Sequence, residues 1–86
     1  MRLEILGPGC KRCQLLAENA RAAAREVGLA AEVVKVEDLA TIMSYGVLAT
    51  PALVIDGQVR SSGHLLSVAQ VKALITAAAT TPAPGA

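Results

Sequence analysis

Aromatic side chains are almost absent from this chain. Tyr45 is its only aromatic residue, and it contains no Trp and no Phe. Proteins that bind single-stranded nucleic acid stack the bases on aromatic rings along a positively charged groove, whereas the formal net charge here is only +1. The composition therefore predicts no nucleic-acid partner, and the core has to be built from Leu, Ile, Val and Ala.

Long apolar runs are also missing. Although 53% of the residues are hydrophobic, no run approaches the roughly 18 apolar residues that a bilayer span requires. Met1 leads directly into the strand-like segment 2–6, without the basic and apolar regions of a secretory signal. We therefore expect a cytoplasmic protein with no membrane partner. The 86 residues suffice for one core, and we expect a monomer.

Cysteine is scarce, and the only two copies lie close together in Cys10-Lys11-Arg12-Cys13. Permanent disulfides are rare in a reducing cytosol, so this pair indicates a cycling redox dithiol or a metal site. Two thiols separated by two residues at a helix start can form a disulfide, and the helix end stabilises the thiolate. Because further metal ligands are lacking around the pair, we favour the redox dithiol.

The two cysteines occupy different positions on a predicted helix. The strand 2–6 ends at the breaker cluster 7–9, and a helix follows until Gly28. Its apolar positions recur at helical spacing and form one stripe: Cys13, Leu16, Ala20, Ala23 and Val27. Cys13 therefore faces inward, whereas Cys10 lies at the accessible helix tip. We predict that Cys10 is the nucleophile and that Cys13 is the resolving cysteine.

The segment after Gly28 predicts a strand and a short helix. Residues 31–36 are rich in β-branched side chains, and a strand that follows a helix of this length is expected to run parallel to the first strand. Asp38 then caps a helix that extends to about Met43, with Leu39 and Ile42 facing inward.

The last third of the chain predicts a hairpin and a helix. Residues 50–55 form a strand, and Asp56-Gly57 returns the chain through residues 58–61 as an antiparallel strand. Ser67 and Gln70 fit a capping box, so a helix begins near Val68. The predicted order is βαβαββα, an α/β class, with a domain over residues 1–79 and a flexible tail over residues 80–86.

This order, the C-x-x-C pair and the Thr50-Pro51 that opens a later strand resemble the thioredoxin-like superfamily, in particular its small single-domain redox-active disulfide proteins. The string from Tyr45 through the Asp56-Gly57 hairpin is familiar in that group. The resemblance implies a minimal thioredoxin-like fold with a four-stranded mixed sheet flanked by helices. It also implies a thiol-disulfide oxidoreductase with no cofactor beyond the Cys10-Cys13 disulfide, whose partners are protein disulfides and an unidentified reductase.

The resemblance further implies a substrate-binding role for Thr50 and Pro51. In the superfamily the proline follows a cis peptide bond beside the dithiol and keeps metals off the sulfurs, and the residue before it pairs with an extended substrate. A proline at the start of a strand leaves an open edge for such a peptide. The buried acid of larger thioredoxins has no clear counterpart, and Glu4 is only a weak candidate for the proton acceptor of Cys13.

Lys11 and Arg12 are predicted to tune the dithiol electrostatically. A helix N-terminus contributes about 0.3–1 kcal/mol toward an anion, and two neighbouring cations add to it, so we expect a lowered pKa for Cys10. The alternative interpretations are that both side chains are solvated loop charges or that they contact a docked partner.

Two alternative functions would use the same two cysteines. One is a small metal carrier of the ferredoxin-like kind, and the other is a binding module whose affinity for a partner responds to the redox state.

Overall fold

The computed structural model describes residues 1–28 and 30–80, and its helices and strands follow the predicted βαβαββα order. Their bounds are β1 Arg2–Leu6, α1 Lys11–Val27, β2 Glu32–Val36, α2 Leu39–Ser44, β3 Ala52–Ile55, β4 Gln58–Ser62 and α3 Val68–Thr80. Thr80 is the last residue of α3, and the rest of the tail predicted over residues 80–86 lies outside the described residues.

The four strands form one mixed sheet in the order β2-β1-β3-β4. β1 runs parallel to β2 and antiparallel to β3, and β3 pairs with β4 as an antiparallel hairpin. The predicted fold class is confirmed. Because of these directions, the C-terminal ends of β1, β2 and β4 and the N-terminal end of β3 lie at the same edge of the sheet.

The two faces of the sheet are covered unequally. Leu3 and Ile5 of β1 face the main core, which α1 and α3 cover through residues such as Leu16 and Ile75. On the opposite face a smaller cluster is covered by α2; its buried members are Leu6, Ile42, Ala52 and Val54. The predicted stripe of α1 faces the main core, with Cys13 at its N-terminal end, and α3 packs against the same core through Val71 and Ile75.

Leu39 does not face inward as predicted, since it is 64% exposed. Of the six residues of α2, Ile42 is the buried one. The helix is shorter than two turns and contacts the sheet through the side of Ile42, so its first turn remains in solvent. The inward prediction for Leu39 is therefore wrong, whereas that for Ile42 is confirmed.

The predicted turns and caps form through local contacts. Asp56 and Gly57 have φ values of 48° and 86°, as a type I′ hairpin turn requires. The Ser67 backbone N–H donates to Gln70 Oε1 at 2.9 Å, and the Gln70 N–H donates to Ser67 Oγ at 3.2 Å. Among the described helices, none is both long enough and apolar enough to cross a membrane.

Candidate dithiol active site

Cys10 and Cys13 lie together at the N-terminus of α1. Cys10 is the N-cap residue, and its Sγ accepts a hydrogen bond from the Cys13 backbone N–H at 3.3 Å. Cys10 is exposed, whereas Cys13 is only 3% exposed. Both are free thiols. Cys10 is therefore accessible and Cys13 is buried, as the sequence predicts. Their roles as nucleophile and resolving residue stay predictions.

The surroundings shift the two thiols in opposite directions. Hydrogen bonds from the Cys13 side chain and the Cys13 backbone N–H lower the pKa of Cys10. Burial is the largest cause that raises the pKa of Cys13, followed by its side-chain hydrogen bond with Cys10. The first proton therefore leaves Cys10. Of Lys11 and Arg12, it is the Arg12 backbone that lowers the pKa of Cys10, through a hydrogen bond. The electrostatic tuning by the Lys11 and Arg12 side chains therefore stays a prediction.

Gly7 makes room for the sulfur of Cys13. Gly7 is buried at the end of β1, where its N–H donates to Val36 O at 3.0 Å. A β-carbon on Gly7 would overlap Cys13 Sγ and lie 3.1 Å from Cys13 Cβ. Local sequence patterns predict this glycine only as a strand breaker, because the approach of α1 to the end of β1 is a tertiary contact that they do not show.

Thr50 and Pro51 lie beside the dithiol, as predicted from the resemblance. The ideal β-carbon on Gly7 lies 3.8 Å from Thr50 Cβ as well as against Cys13. Pro51 is buried and follows a cis peptide bond, and its carbonyl accepts from the Gly63 N–H at 2.9 Å. The structure thus brings Thr50, Pro51 and Cys13 together, and the substrate-binding role of Thr50 and Pro51 stays a prediction.

Residues 1–76 match the family model described as thioredoxin domain. The chain belongs to the thioredoxin family. It is 36% identical over 76 residues to a thioredoxin from Methanothermobacter thermautotrophicus, and the matched region covers 88% of this chain and 99% of that protein. It is also 36% identical over 70 residues to a thioredoxin from Methanocaldococcus jannaschii, and this match covers 81% of this chain and 80% of that protein. At family level these matches support a thiol-disulfide oxidoreductase.

Two charged side chains flank the dithiol of this thioredoxin-family chain. Arg12 Nη2 donates to Gly63 O at 3.5 Å, on the side of β3 and β4. Glu37 follows β2 on the other side, and its Oε2 lies 2.6 Å from the ideal β-carbon position of Gly9. Lys11 is exposed. The side chains of the predicted pair Lys11 and Arg12 thus have different surroundings. No sequence pattern indicated that Glu37 lies beside the dithiol loop.

Glu4 has partners of its own on the face of the sheet that α2 covers. It is 8% exposed, accepts a hydrogen bond from Tyr45 Oη at 2.9 Å and pairs with Arg2 Nε at 3.5 Å. The hydrogen bond to Glu4 is the largest cause that raises the pKa of Tyr45. Glu4 was considered above only as a weak candidate for proton transfer, and no sequence pattern indicated its contact with Tyr45.

Metal carriage is one of the two alternative functions that use the same cysteines. In the part of the chain that the structure describes, no group of three or more His, Cys, Asp or Glu side chains is placed to hold a metal ion. Cys10 and Cys13 supply two sulfur ligands, and structural zinc sites use four protein ligands. Metal carriage is therefore a question for titration of the reduced protein.

Proposed function

We propose that this thioredoxin-family chain exchanges disulfides with partner proteins through Cys10 and Cys13. The observation that carries the proposal is the pairing of an exposed thiol of lowered pKa with a buried thiol of raised pKa, one helical turn away. The thiolate is the nucleophile in disulfide exchange, so Cys10 is ready to attack an incoming disulfide while Cys13 stays protonated and shielded.

The first step joins the two proteins. The Cys10 thiolate attacks one sulfur of the substrate disulfide, a Cys10–substrate bond forms, and the substrate sulfur bond breaks. The leaving sulfur departs as a thiolate and takes up a proton from solvent. We propose that the substrate chain lies extended along the Thr50 backbone, beside the start of β3, during this step.

The second step releases the substrate. In the mixed disulfide Cys10 is no longer a thiolate, so its hydrogen bond and its charge no longer raise the pKa of Cys13, although burial still does. Cys13 loses its proton and attacks Cys10 Sγ, and the second substrate sulfur leaves as a thiol. The substrate gains two electrons and two protons, and the protein is left with a Cys10-Cys13 disulfide.

Restoring the dithiol requires an electron donor. We propose a protein reductase in a reducing compartment, the cytoplasm being the setting expected from the sequence, because a dithiol there is returned to its reduced state between turnovers. A monomer without a resident cofactor is sufficient for this cycle, since both sulfurs come from one helix.

A trapping experiment tests the proposal. Wild-type protein should reduce a disulfide-bonded protein in the presence of dithiothreitol, and Cys10→Ser should abolish this activity. Cys13→Ser should accumulate a mixed disulfide that survives denaturing electrophoresis and disappears on reduction. Equal trapping by Cys10→Ser would reverse the assignment of the two roles. Failure of the wild type to reduce any disulfide substrate would contradict the proposed activity.

A metal titration separates carriage from disulfide exchange. The reduced wild type and the Cys10→Ser variant are titrated with Zn²⁺ in the presence of a competing chelator. Under the proposed function, binding stays too weak to compete and the disulfide-reduction activity depends on both cysteines. Tight binding by the wild type without disulfide reduction would favour a metal carrier.

A further inference from the structure

Four chain segments meet at the edge of the sheet that carries the dithiol. Glu37 follows β2, Cys10 follows β1, Pro51 precedes β3 and Gly63 follows β4. Because the strand order is β2-β1-β3-β4, these segments lie along the edge in the same order. The dithiol thus has Glu37 on its β2 side and the Pro51 and Gly63 segments on its other side.

The Arg12 side chain extends from the dithiol toward the side that carries the Pro51 and Gly63 segments. Its Nη2 donates to Gly63 O at 3.5 Å, and the Gly63 N–H donates to Pro51 O at 2.9 Å. The guanidinium is therefore connected through Gly63 to the segment along which the substrate is proposed to lie. A guanidinium has several N–H donors, so the contact with Gly63 leaves others for a carboxylate.

The charge of Arg12 is not neutralised by a carboxylate of the described residues. The ion pairs found there join Arg2 with Glu4 and Lys72 with Glu26. Arg12 is exposed, as is the neighbouring Lys11. The Glu37 carboxylate approaches the dithiol loop at Gly9, on the opposite side from Gly63. The surface beside Pro51 and Gly63 is therefore cationic at Arg12.

We propose that Arg12 is a specificity-determining residue that favours substrates with an acidic residue next to the reactive disulfide. The proposal rests on the disulfide exchange proposed above and assigns the substrate class of that same site. A substrate carboxylate would lie against the Arg12 guanidinium while its disulfide meets Cys10. A lysine at the same substrate position would meet a like charge, which opposes association.

The test uses peptides that differ only in charge. Two peptide disulfides of the same sequence carry Glu or Lys beside the cysteine, and a third carries Gln. The reduced protein is mixed with each in single-turnover experiments, so no reductase is needed: the protein dithiol becomes the disulfide, and each peptide disulfide becomes two thiols. The measured quantity is the ratio of second-order rate constants for the Glu and Lys peptides.

We expect the wild type to prefer the Glu peptide by about two- to five-fold, the range that exposed ion pairs support. Arg12→Gln should remove most of this preference, and Arg12→Lys should retain part of it. The wild-type preference should shrink at high salt, because exposed charges are screened. The ratio is independent of any change in Cys10 reactivity, because both peptides meet the same thiolate.

Arg21→Gln provides the matched control. It removes one positive charge from the exposed face of the same helix, about 13 Å further along the axis and beyond the screening distance at physiological salt. The proposal requires Arg21→Gln to keep the wild-type ratio. An unchanged ratio in Arg12→Gln, or an equal fall in Arg21→Gln, would overturn the inference about Arg12 while leaving disulfide exchange intact. Absence of Cys10-dependent reduction of every peptide would overturn the proposed function and, with it, this inference.

Discussion

The sulfur of Cys13 occupies the space in which a side chain on Gly7 would begin. Gly7 directly follows the first strand, Cys13 belongs to the first turn of the following helix, and a β-carbon on Gly7 would overlap Cys13 Sγ. The absence of a side chain at Gly7 therefore lets the helix carry its buried thiol close to the end of the strand.

Gly7→Ala should destabilise the reduced protein by about 1–3 kcal/mol, the usual effect of overpacking a core. Gly7 does not have a positive φ, so the backbone accepts alanine and the effect comes from the overlap with Cys13. The free energy of unfolding in urea measures it. In a Cys13→Ala background the sulfur is gone, and the same substitution should have a smaller effect. Equal losses in the two backgrounds would contradict a clash with this sulfur.

Cys13→Ala should raise the pKa of Cys10. The Cys13 side chain is the largest cause of the lowered value, and alanine donates no hydrogen bond, whereas Cys13→Ser keeps a hydroxyl donor. Each variant has one thiol, so thiolate absorbance against pH reports Cys10 directly. At a fixed pH below an ordinary thiol pKa, Cys13→Ala should be alkylated more slowly than Cys13→Ser. Identical titration curves would show that the side chain of residue 13 has no influence on Cys10.

Glu4→Gln should bring the pKa of Tyr45 back toward its ordinary value, because the bond to the Glu4 carboxylate is the main cause of its rise. Tyr45 is the only tyrosine, so tyrosinate absorbance during an alkaline titration is unambiguous. The Arg2 guanidinium acts in the opposite direction, and Arg2→Gln serves as a control that should raise the pKa of Tyr45 further. No change in Glu4→Gln would contradict the hydrogen bond.

Tyr45→Phe should lower the free energy of unfolding by about 1 kcal/mol near neutral pH, because a buried carboxylate loses a donor. The folded-state pKa of Tyr45 is raised, so its contribution is complete below the pKa of unfolded tyrosine and is lost as pH rises through the folded value. The difference between wild type and Tyr45→Phe should therefore shrink in alkaline solution. Urea unfolding at several pH values measures it, and a difference that grows with pH would oppose the assignment.

Asp38 should make stability dependent on acidic pH. Its carboxylate caps α2 by accepting from the Thr41 hydroxyl at 2.7 Å and the Thr41 N–H at 3.0 Å, and these bonds lower its pKa. The contribution is present above the pKa of unfolded aspartate and is lost as pH falls through the lowered value. Asp38→Asn keeps a cap that does not titrate.

Unfolding midpoints in urea across the acidic range measure the Asp38 contribution. The wild type should lose more stability than Asp38→Asn as the pH falls. Thr41→Val is the second comparison, since it removes the hydroxyl donor and should raise the pKa of Asp38 as followed by carboxyl NMR shifts. Parallel pH profiles for wild type and Asp38→Asn would exclude a titrating cap.

Local patterns predicted most of the elements because their causes are local. Asp56-Gly57 forms its turn from backbone conformations that these two residues adopt, and Ser67 with Gln70 closes a capping box within one helical turn. Leu39 is the counterexample. Its apolar character predicted burial, but α2 is too short for both Leu39 and Ile42 to reach the sheet.

The sequence by itself determined the strand and helix order, the cap at Asp38 and the placement of two thiols one turn apart at a helix start, since each follows from hydrogen bonds and sterics between near neighbours. Only the tertiary structure decided that Cys13 lies over Gly7, that Tyr45 binds Glu4 and that Arg12 reaches Gly63. The last two contacts join residues 41 and 51 positions apart, and the first depends on how α1 docks against the end of β1. Such contacts depend on how helices pack against the sheet, which no short stretch of sequence specifies.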